Sequence, residues 1–293
     1  MIYLVSHRST YHYSEPASLS QNELMLTPRS TTRQQVLATQ LSFEPEPQLL
    51  RSRSDYFGNI VYTFMAEQPH RELKLIANST VQTGTMAPFS MVATSAWEDV
   101  AHQLFHHPSP ELLEAFQFVF PSSMARYSPA VQDYVQPSFP PGRPVLEGAI
   151  DLMNRIFHEF TYDKSASTVD TEVEQILQTR KGVCQDFSFF VIACLRAIGL
   201  AARYVSGDLE TIPPPGKIKL VGSDASHAWI SVFIPELGWV DFDPTNNVIP
   251  GERHITLAWG RDYSDVAPIR GVVMGGGAHT LSVQVDVIAQ HVA

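Results

Sequence analysis

Gly182-Val183-Cys184-Gln185-Asp186-Phe187-Ser188-Phe189-Phe190-Val191-Ile192-Ala193-Cys194-Leu195-Arg196-Ala197-Ile198-Gly199 passes from small and polar residues into an unbroken apolar run and stops at glycine. The pattern predicts a helix from near Cys184 to about Ile198, ended by Gly199. Before it, Leu146, Ile150, Met153, Ile156 and Phe157 recur at three- and four-residue spacings, the mark of another helix. After it come Ala202-Arg203-Tyr204-Val205, His227 to Ile234, Trp239 to Phe242 and the alternation Leu281, Val283, Val285, Val287, all strand-like. Helices followed by an antiparallel sheet describe an α+β domain over residues 146–293.

Outward from that core, residues 1–85 read as short strands separated by turn signals such as Glu44-Pro45-Glu46-Pro47 and Tyr56-Phe57-Gly58-Asn59. They predict an N-terminal β-sandwich domain. Residues 86–145 gather prolines at 121, 129, 137, 140, 141 and 144, with a helix expected from Pro110 through Phe118. This segment reads as a Pro-rich, partly helical connecting region.

With 293 residues, 44% of them hydrophobic and 17% charged, the chain has ample apolar material for a buried core, which excludes wholesale disorder. Twenty basic against thirty acidic residues give a net charge of −10 without a Lys/Arg run, so nucleic acid is not an expected partner. The longest strongly apolar run, Phe189 to Leu195, is too short to span a bilayer, and no membrane association is expected.

Cys184 and Cys194 are the only cysteines. Ten residues along a helix separate Cα atoms by about 15 Å, beyond the ~7 Å a disulfide allows. Two free thiols, with no signal-peptide pattern at Met1-Ile2-Tyr3-Leu4-Val5, point to a reducing, cytoplasmic setting.

The two thiols differ in surroundings. Cys194 lies among Val191, Ile192 and Leu195 and reads as core filler. Cys184 sits where a loop becomes a helix, flanked by Gly182, Gln185 and Asp186, and the unpaired first-turn amides there favour thiolate over thiol. A thiol nucleophile needs a base to take and return a proton. Of eleven histidines, His102, His106 and His107 fall in a polar segment without a zinc motif and read as solvated, whereas His227 opens a strand. A hairpin looping at Ile234 to Glu236, with Phe233 opposite Leu237, would set His227 opposite Asp243 on one face. Asp243 could then orient the imidazole, although Asp before Pro244 is also an ordinary turn former.

Four blocks in order now carry a resemblance: Arg180-Lys181-Gly182-Val183-Cys184-Gln185-Asp186-Phe187; Leu195 through Gly207; Ser226-His227-Ala228-Trp229; and Gly238-Trp239-Val240-Asp241-Phe242-Asp243-Pro244-Thr245-Asn246. Together they resemble the core of the bacterial transglutaminase-like superfamily. Upstream, His7, Tyr11-His12-Tyr13, Asn22 through Arg29 and Asp55-Tyr56-Phe57-Gly58-Asn59 are similar to the β-rich N-terminal domain that accompanies this core in bacteria. The resemblance implies a papain-like cysteine-protease fold with Cys184 as nucleophile, His227 as base and Asp243 as orienting acid. An oxyanion needs two donors: the Cys184 amide is the first, and Tyr162, in Phe160-Thr161-Tyr162, is a candidate second. No Asp-rich calcium loop is present, and neither a metal nor a cofactor is expected.

The expected function is a thiol acyl-transfer enzyme acting on amide bonds of a peptide or protein substrate, with water as acceptor in a cysteine peptidase or amidase. An amine acceptor would make it a transglutaminase, and a third reading is a non-catalytic interaction scaffold. Acetyl transfer from a thioester cofactor would call for a nucleotide groove, and the chain has no glycine-rich phosphate loop.

Overall fold

A computed structural model of the chain describes residues 1–85, 92–106, 109–168, 171–212, 222 and 224–290, with Ala225 by its backbone only. Strand β1 (Ile2–Leu24) organises the N-terminal part. Around it lie β2 (Gln34–Glu44), β3 (Leu49–Ser54), β4 (Ile60–Ala66) and β5 (His70–Thr83). Helices follow: α1 (Trp97–His106), α2 (Pro110–Phe116), α3 (Pro129–Val135) and α4 (Val145–Glu159). Next come β6 (Thr161–Tyr162), α5 (Val173–Thr179), β7 (Lys181–Gly182), α6 (Cys184–Ala197), β8 (Ala202–Leu209), β9 (Ala225–Ile234), β10 (Gly238–Phe242) and β11 (His254–Gly260). The chain closes with α7 (Tyr263–Val266), β12 (Ile269–Gly275) and β13 (His279–Gln290).

β1 is long enough to serve two sets of partners. Its first half pairs with β5 and β13, its second half with β4 and β12, and the ladder shifts register between His12 and Ala17 where the strand changes neighbours. Two leaves, β2-β5-β1-β13 and β3-β4-β1-β12, therefore share one strand. Both contribute to one apolar cluster containing Tyr13, Leu24, Phe64, Leu73 and Leu75.

The division at residue 146 changes at both ends. Residues 269–290, expected in the C-terminal domain, pair with β1 and complete the N-terminal sheet. Their alternation was readable, but alternation carries no information about which strand lies alongside. The Pro-rich region 86–145 also does more than connect: Val100, Leu104, Leu112, Phe118, Val131 and Phe139 are buried in the same core as α6. Pro110 and Pro129 each start a helix, where the missing N–H has no intrahelical acceptor to lose.

α6 is the centre of that core. Every residue from Asp186 to Arg196 is buried, because α3, α4 and α5 pack around it and a four-stranded antiparallel sheet, β10-β9-β8-β11, covers another side. Gly199, at φ +81°, ends the helix, and the Leu200 amide turns back to the Leu195 carbonyl at 3.0 Å. In the ladders Gly207 faces His227, Val205 faces Trp229, and Arg203 and Asp241 both face Ser231. Strand alternation therefore puts His227, Trp229, Ser231, Arg203, Val205 and Asp241 on one face. Tyr204, Ala228, Ile230 and Val232 lie on the other face and join the α6 core.

Edge strand β11 is covered by side chains from the N-terminal part. Gln34 exchanges two hydrogen bonds with the backbone of Thr256, at 2.8 and 2.9 Å. Asn59 does the same for Trp259, at 2.8 and 3.0 Å, and Asp55 holds Asn59 in place. These contacts fix the first sheet against the second. Among the described residues, no helix is long and apolar enough to cross a membrane.

Candidate active site

Cys184 is the first residue of α6, so its amide is one of the first-turn donors that helix geometry leaves without an intrahelical acceptor. The helix start is fixed by Asp186, whose Oδ2 accepts from the Val183 amide at 2.7 Å and from the Ser167 hydroxyl. Gly182 makes room for that carboxylate, since a Cβ there would lie 2.7 Å from Asp186 Cβ and Oδ2. Burial holds Asp186 above the ordinary carboxylate value despite those two bonds.

Across from it, the His227 Nε2–H donates to Asp243 Oδ2 at 2.8 Å. That leaves Nδ1 as the ring atom available to the thiol of Cys184, which lines the same cleft. Burial works against the imidazolium, but the hydrogen bond to Asp243 and the influence of nearby Cys184 outweigh it and hold His227 well above its ordinary value. Asp243 is held well below the usual carboxylate range against the opposing effect of burial, first by His227 and then by His254 and Asn246.

The hairpin register differs from expectation by two residues. Ile234 pairs with Gly238 and Phe233 with Trp239, because Gly238, at φ +72°, closes a loop of Pro235, Glu236 and Leu237. β10 ends at Phe242, and extending its register would set Asp243 opposite Trp229. A shift of two keeps the face, so Asp243 reaches His227 as a diagonal neighbour. The turn after it supplies more donors: the Thr245 and Asn246 amides reach Asp243 Oδ1 at 3.0 and 3.2 Å, and Asn246 Nδ2 donates to Oδ2 at 2.7 Å. Asp243 is thus a turn former and an acid partner at once.

His254 is the member the sequence reading missed. Its Nε2–H donates to the same Asp243 Oδ2 at 3.1 Å, and its ring stands edge-on to Trp229. The available signal was a histidine at the start of the strand-like run His254-Ile255-Thr256-Leu257. The donor atoms of His227, Asp243 and His254 lie within 4.8 Å of one another, a spacing one cation could bridge. A cation there would displace both imidazole protons from Asp243, dismantling the pair that faces Cys184.

Tyr162 lies on β6, paired in parallel with Gly182, and is half exposed. Burial of part of the ring and the nearby Cys184 and Asp186 raise its hydroxyl above the ordinary value. Both cysteines are free; Cys184 is partly accessible, while burial pushes the Cys194 thiol far up. His102 and His106 are exposed with their rings in tilted contact, as solvated residues can be, and His107 lies outside the described residues. Cys184 and His227 open onto a cleft of about 280 Å³ whose other walls include His7 and Tyr11 from β1, Tyr204 and Ser206 from β8, and Tyr263. The N-terminal sheet therefore forms one side of the candidate active site.

Residues 3–82 match the bacterial transglutaminase-like N-terminal region, and residues 133–244 match the transglutaminase-like superfamily. An uncharacterized protein of Mycobacterium tuberculosis is 40% identical over 296 residues, covering 98% of this chain and 92% of its own. This chain belongs to the transglutaminase-like superfamily. A crystal structure of a proposed cysteine protease from Cytophaga hutchinsonii shares the fold at TM-score 0.77 and 20% identity, covering 100% of this chain and 92% of that one. A Protein-glutamine gamma-glutamyltransferase of Pseudomonas aeruginosa is 34% identical over 103 residues, which span 34% of this chain and 15% of that protein. The superfamily's core match takes in Cys184, His227 and Asp243, and its N-terminal match takes in the cleft residues His7 and Tyr11.

Proposed function

We propose that this transglutaminase-like protein is a cysteine-dependent acyl-transfer enzyme that acts on amide bonds of peptides or proteins and passes the acyl group to water. The observation that carries the reading is that Cys184, at the start of α6, and His227, bonded to Asp243, line one cleft. Cys184 Sγ attacks the carboxamide carbon while His227 Nδ1 takes up the thiol proton. The oxyanion is met by the Cys184 amide and by the Tyr162 hydroxyl. Collapse breaks the C–N bond, and the amine or ammonia leaves with the proton from His227. Water then attacks the thioester, giving its proton to His227, and the carboxylic acid departs as the thiol is restored.

The same thioester would yield a new amide if an amine arrived first. The local similarity to a Protein-glutamine gamma-glutamyltransferase supports that second reading. A glutamine-containing peptide library, incubated with and without a primary amine and read by mass spectrometry, separates cleavage, deamidation and amine incorporation. Products of the first two kinds, absent with Cys184→Ala, are expected. Amine incorporation at the expense of both would assign the transferase, and no product above the Cys184→Ala background would leave the scaffold reading.

A further inference from the structure

Two arginines are deeply buried, Arg196 at the end of α6 and Arg203 on β8, and the fold treats them oppositely. Arg196 is 1% exposed, and its guanidinium makes five hydrogen bonds, to the Phe118, Ala202 (two) and Arg261 carbonyls and the Ser122 hydroxyl. Arg203 is 7% exposed, and among the described residues no hydrogen bond or ion pair reaches its guanidinium. It is held only by its flat faces, lying 4.1 Å from the Trp239 ring centroid and 3.7 Å from that of Trp259. Its Nε is buried without a hydrogen-bond partner, and the residue lines a cavity of about 490 Å³.

The cavity shares no lining residue with the cleft at Cys184. Its wall is assembled from three parts of the chain: Arg33 after β1, Glu111 and Glu114 on α2, and Arg203, Trp239 and Asp241 on the sheet. Asp241 is engaged by Arg33 at 2.9 Å and is also the foremost charge acting on Arg203, although it makes no hydrogen bond to that guanidinium. Arg203 and Arg33 stand against Asp241, with Glu111 and Glu114 exposed at the rim, so the lining carries no excess of positive charge. The attraction for an acid therefore comes from the unpaired guanidinium donors of Arg203.

We propose that this cavity is a carboxylate-binding site in which the Arg203 edge, pre-oriented between Trp239 and Trp259, receives both oxygens of a ligand carboxylate. A planar fork already immobilised on both faces loses little freedom on pairing, which favours arginine and a planar acid. The site stands independently of the acyl-transfer reading. Its carboxylate belongs either to a small acid or to a peptide C-terminus, and both offer the same two oxygens.

The indoles that clamp Arg203 report the event. Intrinsic fluorescence of the full-length protein is titrated with sodium succinate at constant ionic strength, and with one peptide in free-acid and C-terminally amidated forms. A saturable change is expected with succinate, the free-acid peptide or both. The change should weaken at least about tenfold in Arg203→Lys, which keeps the charge but loses the fork, and vanish in Arg203→Met. Succinate alone binding identifies a small acid, and the free-acid peptide alone identifies a chain terminus. Because either variant could misfold, the ¹⁵N–¹H signal of Arg203 Nε in the unmutated protein is followed in the same titrations and should shift along the same curve. An unchanged Nε signal, a response equal to that of chloride, or full binding by a natively folded Arg203→Met would overturn the proposal.

Discussion

His254 and His227 donate to one and the same oxygen of Asp243, from 3.1 and 2.8 Å. The carboxylate is thereby fixed from two strands, β9 and β11, and its direction cannot follow one imidazole without straining the bond to the other. On the acyl-transfer reading, His254 acts as a positioning residue for His227 and Asp243. His254→Ala should lower the acylation rate about tenfold with little change in KM, as expected for lost support behind a reacting group. It should also destabilise the fold by ~1–3 kcal/mol through the lost bond to a buried charge. Stopped-flow acylation and urea unfolding measure the two, and an unchanged rate at reduced stability would reduce His254 to a purely structural role.

The thiols should separate cleanly on alkylation. Iodoacetamide at neutral pH is expected to label one equivalent rapidly, at Cys184, while buried Cys194 reacts only on unfolding. Cys184→Ala should remove the fast phase and Cys194→Ala leave it, as peptide mapping would show. Equal, slow labelling of both thiols in the unmutated protein would exclude Cys184 as nucleophile.

The paired charges make stability depend on pH in two directions. Asp243 is held below its ordinary value of 3.8, so its contribution is complete above that pH and fades as pH falls toward the lower folded value. His227 is held above its ordinary value of 6.5, so its contribution is complete below that pH and fades as pH rises toward the higher folded value. The stability difference between the unmutated protein and Asp243→Asn should therefore be largest between these two ordinary values. Urea unfolding from acid to alkaline pH tests this, and a difference that grows steadily above neutrality would contradict the paired state.

Tyr162→Phe isolates one hydroxyl on a half-exposed ring. If that hydroxyl meets the oxyanion, kcat should fall by about 10²-fold, the scale seen for loss of one such donor, with KM and thermal stability nearly unchanged. An unaltered kcat would assign the second donor elsewhere.

The sequence by itself determined the local elements and the parity of the site. A small-to-apolar transition ending at Gly199 specifies α6 and puts Cys184 at its start, because helix start and stop signals act within a few residues. Alternation fixed which side chains of β9 and β10 share a face, and a period of two survives a register shift of two, so His227 and Asp243 stayed together although the expected pairing was wrong.

Tertiary structure decided what depends on partners far along the chain. The loop closed by Gly238 set the register, β11 brought His254 to Asp243, and β12 and β13 returned to β1 so that His7, Tyr11 and Leu281 wall the cleft. It also left Arg203 clamped but unpaired while giving Arg196 five bonds. A strand's own residues carry its pleat, but the identity of the neighbouring strand is a packing outcome shared by the whole chain.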